Sequence, residues 1–439
     1  MSSTIQRVDN DSLEGTAVAR QPGSAVWGYL AVATPAVFLA SDMGLAAARG
    51  WRTNSRLDRV VMWALAGWLL AVTACLLLSA GRRFFSRWRA QLVALSVSLC
   101  LAWFVCELAL GPVLAVVAEP FHCRRPGLQF VYRPRAEIMR DVGPETHVQF
   151  NAWGVRGEDP PARAAANRIL CVGGSSTACT SLDDHKTWPF LVGRELDDRR
   201  PGHHTWVGNI GMPSFRTTEH LQFIEQSPLV EQVDCLIVQA GVNDFMSCLA
   251  GPRSEPLWTA SRVRKLVRAV VSRYGESDRE VEDAGGEVYL RRRAIRAAAV
   301  IDDHPPNVEA GLSEFAENVR AIIDTCRRRH VRVVFTTQPV LWSADLDAEN
   351  RALLWFGLLP DSRFLSVDQL PAGMDRYNEA LAAVCRELGA ELVDLSELNG
   401  DPAMFYDDCH FTETGSRRVA DLIARHFVEH PLEAGQETP

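Results

Sequence analysis

Val60–Ala80 contains no charged side chain. An apolar run of that length has one stable home, a helix across a bilayer, because a helix satisfies its own backbone hydrogen bonds where no water can. The run stops at Gly81-Arg82-Arg83. Leu92–Val117 is equally apolar, with Glu107 as its sole charge, and Ala25–Ala40 is shorter and carries Pro35. The first two read as membrane spans. Ala25–Ala40 reads as a third span or, because Ala46-Ala47-Ala48 follows it, as a cleaved signal peptide. Glu107 is expected either to pair between packed helices or to mark a site within the membrane.

Arginines set the expected orientation. Arg82, Arg83, Arg87 and Arg89 crowd the short loop between the two clear spans, and basic loops stay on the cytoplasmic side. The long C-terminal part is then extracytoplasmic, on a multi-pass protein of the cell membrane. Arg49, Arg52, Arg56 and Arg59 give the preceding loop a comparable basic count and pull against that assignment. The formal net charge of −8 offers no basic excess for phosphates, which excludes a nucleic-acid partner. The 11 cysteines include no Cys-x-x-Cys pair, and Cys75, Cys100 and Cys106 sit in the apolar segments, so neither a metal site nor a dense disulfide framework is expected.

Residues 1–118 are thus expected to form a membrane region and 119–168 an irregular entry segment rich in Pro, Arg and Gly. A globular domain should follow over 169–430. Within it, apolar runs at Ile169–Val172, Cys235–Gln239, Val331–Thr337 and Glu391–Leu395 read as buried strands. Leu312–Cys326, Arg376–Leu388 and Thr414–Val428 have helical periodicity. Alternating strands and helices predict an α/β fold, a three-layer α/β/α sandwich with a mostly parallel sheet. Two excursions, at about 247–306 and 341–371, interrupt the alternation just after predicted strands. They read as lids or substrate-shaping loops, or as segments that cover the core or touch the membrane.

Three places carry candidate chemistry. At Ile169-Leu-Cys-Val-Gly-Gly-Ser-Ser-Thr177 a buried strand breaks at two glycines and exposes Ser175, or its neighbour Ser176, at the carboxyl edge of the sheet, where α/β folds place their sites. At Val238-Gln-Ala-Gly-Val-Asn-Asp244 another strand breaks into Asn243, whose amide can donate to an oxyanion or close an Asx turn. Near the C-terminus, Asp407 and His410 have the spacing at which a carboxylate in a tight turn orients an imidazole. The adjacent His203 and His204 point in different directions along a chain and make a poor metal pair.

In this order, these pieces resemble the SGNH (GDSL-type) hydrolase superfamily over about Asn151–Val428. The segment Asn151-Ala-Trp-Gly-Val-Arg-Gly157 ahead of the nucleophile block resembles its membrane-anchored branch. The resemblance implies a Ser175–His410–Asp407 triad and an oxyanion hole made by the backbone N–H groups of Ser175 and Ser214 with the Asn243 amide. Two positions depart from the pattern: Gly174 stands where many relatives have aspartate, and Ser214 where they have the oxyanion glycine, with Gly211 a few residues earlier. The implied activity is that of a membrane-anchored serine esterase acting on an ester-bearing substrate such as an acylated envelope glycan or lipid, with no metal or organic cofactor. The same triad could serve an O-acyltransferase, and the same fold a non-catalytic binding or scaffold protein.

Overall fold

The computed structural model describes residues 23–48, 56–117, 124, 126–251, 257, 261–264, 266–267 and 286–432. The chain divides into two compact units, Met1–Gly111 with Glu255–Lys265, and Pro112–Ser254 with Leu266–Pro439. Arg49 and Arg52, and much of the first excursion, lie outside the described residues.

The first unit holds helices α1 (Gly23–Ala48), α2 (Arg56–Leu77), α3 (Ser79–Arg87) and most of α4 (Arg89–Val117). Ala25–Gly44, Val60–Leu77 and Arg89–Leu110 are each long and apolar enough to cross a membrane. The expected Ala25–Ala40 run continues into a helix of 26 residues with Pro35 inside it. Trp63 is 78% exposed and Leu70 73%, an arrangement costly in water and suited to lipid. The arginine-rich loop is itself helical. Its Phe85 is buried and meets Tyr29 edge-on at 6.3 Å. Among the described residues Glu107 pairs with no other span. Its carboxylate accepts from the Ser261 hydroxyl and from the N–H groups of Arg262 (2.7 Å) and Val263 (3.3 Å). These begin a helical turn of the first excursion, whose free N–H groups attract a carboxylate. The partner lies 154 residues away in sequence, too far for any local pattern to announce it.

The second unit opens on a hairpin, β1 (Gln129–Tyr132) against β2 (Thr146–Gln149), paired from Gln129↔Gln149 to Tyr132↔Thr146. This corrects the irregular reading of 119–168. Each strand has only 4 residues, with one face buried and one exposed, so the period-two signal is brief. Among the described residues seven strands follow: β3 (Asn167–Gly173), β4 (Thr205–Asn209), β5 (Cys235–Gln239), β6 (Ile301–Asp302), β7 (Arg332–Thr336), β8 (Phe364–Leu365) and β9 (Glu391–Val393). Five form one parallel sheet in the order β4-β3-β5-β7-β9. The α/β expectation and its four strands hold, and β4 is an addition. Thr205-Trp-Val-Gly-Asn209 lies at the sheet's edge and mixes polar with apolar residues, so it lacks the continuous apolar run that betrays the central strands.

Helices cover both faces. Trp188–Arg199 and Glu413–Glu429 pack together on one side, and Thr217–Gln226, Glu309–Arg328 and Leu370–Leu388 on the other. Ile169–Val172 and Cys235–Val238 are 0% exposed in the middle layer. The strand order is that of flavodoxin-like sheets, in which the chain reverses direction between the first and third strands, here β3 and β5. Such reversals open a crevice at the carboxyl edge.

Within the second unit the described parts of the two excursions are joined to each other. Helix Glu287–Ala297 and β6 belong to the first, β8 to the second, and β6 pairs with β8 in parallel. Arg296, 6% exposed, donates to the carbonyls of Phe356 and Leu365. Arg293 donates to those of Leu353, Ile138 and Tyr406 at 3.0–3.1 Å.

Candidate active site

Strand β3 ends at Gly173, and a single helical turn, Ser175–Ala178, begins at once. A β-carbon on Gly173 would lie 2.1 Å from Thr177 Oγ1 and 2.8 Å from the Gln239 carbonyl, so the turn is closed to any larger residue. A β-carbon on Gly174 would meet Asn243 Nδ2 at 2.5 Å. The Asn243 amide therefore occupies the space that a side chain at 174 would take, which gives the departure from aspartate a local reason.

Ser175 is half-buried and Ser176 is 2% exposed. Their hydroxyls part company. Ser175 Oγ lies 2.7 Å from His410 Nε2, whereas Ser176 Oγ turns inward and donates to Gln338 Oε1 at 3.3 Å. His410 Nδ1 lies 2.7 Å from Asp407 Oδ2 and 2.8 Å from Oδ1. Three side chains drawn from the two ends of the domain thus make one continuous hydrogen-bonded chain.

The loop that carries the histidine is held from within. Asp407 Oδ1 accepts from the N–H groups of Cys409 (3.1 Å) and His410 (3.0 Å), an Asx-type turn that sets the three-residue spacing. Thr412 then caps helix Glu413–Glu429 by accepting from the Gly415 N–H. Asp407 is 0% exposed. Burial pushes its carboxyl upward, but the His410 ring, the Trp355 indole and the backbone donors outweigh burial and leave it below its ordinary value. Asp408, equally buried, goes the other way, to about 6, because burial and the Asp407 charge together exceed its hydrogen bonds.

Asn243 stands in the first turn of helix Val242–Ala250 and donates one amide hydrogen to the Phe215 carbonyl at 2.8 Å. Its neighbour Asp244 accepts from Thr217 Oγ1 at 2.5 Å and from the Thr217 N–H at 3.1 Å. Burial raises the Asp244 carboxyl to about 6. Both contacts tie the Met212–Thr217 loop, which contains Ser214, to the β5 edge. Ser214 has φ +69°, the left-handed region that glycine occupies freely. Its backbone has the shape of the glycine position it replaces, while Gly211 is pressed against the Ala178 backbone and serves packing. Among the described residues no protein acceptor takes the backbone N–H of Ser175 or Ser214, which leaves two main-chain donors free at this edge.

The sequence motifs pass over several further contributors. Arg156, from the Asn151–Gly157 segment, is 6% exposed. It donates to Asp184 Oδ1 at 2.6 Å and to the carbonyls of Ala178, Cys179 and Leu182. It therefore grips the end of the turn whose beginning is Ser175. Asn209 Nδ2 adds a bond to the Thr177 carbonyl at 2.8 Å. Trp355 reaches Asp407 from 52 residues away in sequence. Of these, the Arg156 segment carried a signal, as the motif that resembles the membrane-anchored branch, though its role in holding the turn did not.

The side chains of Asp407, Cys409 and His410 place possible metal-ligand atoms within 4.8 Å of one another. Their chemistry fits a proton relay better than an ion. Both His410 nitrogens are engaged, and burial with two neighbouring carboxylates pushes the Cys409 thiol well above its ordinary value, so the thiolate a metal needs is disfavoured.

The profile of the GDSL-like lipase/acylhydrolase family matches residues 171–418. A comparison with curated proteins finds no match. Among solved structures, the lipase/acylhydrolase from Enterococcus faecalis is 16% identical with a TM-score of 0.36, covering 62% of this chain and 99% of that one. The acetyl xylan esterase AlAXEase is 12% identical with a TM-score of 0.34, covering 59% and 98%. The psychrotrophic esterase EstA from Pseudoalteromonas is 10% identical with a TM-score of 0.34, covering 60% and 98%. The assignment rests on the family match, which spans more than half of the sequence and takes in Ser175, Asn243, Asp407 and His410: the chain belongs to the GDSL-like lipase/acylhydrolase family and is an ester-hydrolysing enzyme.

Proposed function

We propose that this enzyme is a membrane-anchored serine acylesterase in which Ser175 is the nucleophile, His410 the general base and acid, and Asp407 the group that orients His410. The observation that carries the reading is the unbroken run from Ser175 Oγ to His410 Nε2 at 2.7 Å and from His410 Nδ1 to Asp407 at 2.7 Å. These are hydrogen-bond distances for a nucleophile and its base.

In the proposed reaction His410 Nε2 takes the Ser175 proton as Oγ attacks the ester carbonyl. The carbonyl oxygen becomes an oxyanion and draws on the N–H groups of Ser175 and Ser214 and on the second amide hydrogen of Asn243. His410 returns the proton to the departing alkoxide, which leaves as the alcohol. Water, deprotonated by the same nitrogen, then cleaves the acyl-Ser175 ester and releases the acid. Asp407 keeps its charge throughout, which its low-lying carboxyl supports. No step needs a metal or organic cofactor.

The three apolar helices support the anchor, and the arginines of α3 and the start of α4 support a cytoplasmic loop with the enzyme domain outside. The proposed substrates are short acyl esters on glycans or lipids at that outer surface. Hydrolysis of p-nitrophenyl acetate, butyrate and octanoate by the full chain in detergent tests the reading. Activity lost in Ser175→Ala and kept in Ser176→Ala is the expected result. Equal loss in both variants, or activity that survives Ser175→Ala, contradicts it. Fluorophosphonate labelling without turnover points instead to acyl transfer.

A further inference from the structure

Trp355 comes from the second excursion, outside every block that carries the triad. Its indole Nε1–H donates to Asp407 Oδ2 at 3.0 Å. Its backbone N–H donates to Asp408 Oδ2 at 2.8 Å, and Phe356 N–H and Trp342 Nε1–H reach Asp408 Oδ1 at 3.3 and 2.7 Å. One short stretch of loop therefore holds both members of the acid pair. The ring is fixed in turn: the Arg292 guanidinium lies over it, 4.2 Å from the centroid. Phe356 meets it edge-on at 4.1 Å, and Tyr289 touches both it (6.1 Å) and His410 (6.0 Å).

The two Asp407 oxygens are served differently. Oδ1 has two backbone donors of its own loop besides His410 Nδ1, whereas among the described residues Oδ2 has His410 Nδ1 and the indole alone. Rotation about the carboxylate's last torsion is soft, so at a fully buried site its angle is decided by the donors it meets. Without the indole, Oδ2 keeps one bond, and the carboxylate is free to turn toward the backbone donors and take the imidazole with it.

We propose that Trp355 is a positioning residue of the active site, whose indole N–H sets the angle of the Asp407 carboxylate and thereby aims His410 Nε2 at Ser175. This rests on the triad reading above. It also gives the second excursion a function in the chemistry, since the loop reaches the reacting serine through Asp407 and His410.

The test compares the full wild-type chain with Trp355→Phe and with a chain in which benzothienylalanine replaces Trp355, keeping the ring's shape and putting sulfur in place of N–H. Two readouts are taken: kcat and KM for p-nitrophenyl butyrate across pH, and the far-downfield proton resonance of the His410–Asp407 hydrogen bond. The proposal expects kcat to fall about tenfold to a hundredfold in both variants, the range for one hydrogen bond to a charged group. KM should stay unchanged, because the interaction serves the transition state. The acid limb of kcat/KM should move to higher pH, since Asp407 loses a donor that favours its charged form. The resonance should shift in both variants. A sulfur variant that matches wild type in kcat and pH limb overturns the proposal and leaves Trp355 a packing residue. If wild type neither turns over esters nor reacts with a fluorophosphonate, the triad reading fails, and the resonance still decides this one. A resonance displaced by the isostere upholds the indole's hold on the Asp407–His410 pair, and one that is unchanged, or absent in wild type, overturns it.

Discussion

Replacing Arg156 by methionine removes a buried cation that binds the turn behind Ser175. The guanidinium is 6% exposed and makes four bonds, to the Asp184 carboxylate and to the carbonyls of Ala178, Cys179 and Leu182. Methionine fills much of the same volume, so the loss is electrostatic and not a cavity. Asp184, 9% exposed, keeps the Gln149 N–H at 2.9 Å but loses its counter-charge. Breaking one side of a buried ion pair costs about 3–5 kcal/mol, and the three carbonyls add to it only as far as water fails to reach them. A value on the order of 4 kcal/mol follows, and Arg156→Lys should fall between, because one ammonium cannot span four acceptors set around a planar fork. Urea unfolding of the enzyme domain in the full chain, followed by near-UV circular dichroism, measures it. With a slope near 3 kcal/mol/M, the midpoint should drop by roughly 1 M or more in Arg156→Met. Asp184→Asn in the same chain should recover part of that loss by removing the stranded charge. A midpoint shift below about 0.3 M at unchanged slope would refute the reasoning. It would mean that the turn holds itself and that the Asn151–Gly157 motif serves something else.

Other expectations follow from the same contacts. Asn243→Ala should lower kcat by about 10²–10³ with little change in KM, the cost of one oxyanion donor; steady-state kinetics on a p-nitrophenyl ester decides it. Ser214→Gly should retain full activity, because φ +69° already suits glycine. Its thermal midpoint should stay level or rise, and a fall in either quantity counts against this backbone assignment. Asp244 and Asp408 are both raised to about 6, so the folded state holds more protons than the unfolded chain between about pH 4 and 6. Their contribution is most favourable below pH 4 and declines as pH rises through 6, by on the order of 3 kcal/mol each. Asp407, being lowered, works in the opposite sense and loses its contribution as pH falls. Asp244→Asn should flatten the stability profile between pH 4 and 7, which urea midpoints at a series of pH values can read.

The central strands were legible because Ile169–Val172 and Cys235–Val238 are buried on both faces and must be apolar throughout. The three long apolar helices were legible because each is an apolar run with almost no charge. The breaks at Gly173 and Gly241 were legible as the ends of such runs. The edge strand β4 and the hairpin were not: β4 mixes Thr205, Gly208 and Asn209 with Trp206 and Val207 and so shows no apolar run, and each hairpin strand is 4 residues long with every second one exposed, too short to repeat a pattern. The Asp407–His410 spacing could be read because the contact is local. The tightening of the site by Arg156 and Trp355 could not, because both act across large sequence separations through bonds to carbonyls and to a carboxylate, groups any sequence can offer. Glu107 belongs with these: it was conspicuous as a lone charge in an apolar helix, and its partner, the turn begun by Ser261, lay in an excursion with no recognisable pattern.

The proposed reaction stands on Ser175 Oγ as the atom that becomes acylated. Its most direct test is to react the full chain with a fluorophosphonate, digest it, and locate the phosphonyl group by tandem mass spectrometry, beside His410→Ala. The account predicts one modified serine, Ser175, in wild type, and labelling slowed by orders of magnitude in His410→Ala. Modification of Ser176 or of any other residue, or equal labelling without His410, would contradict it.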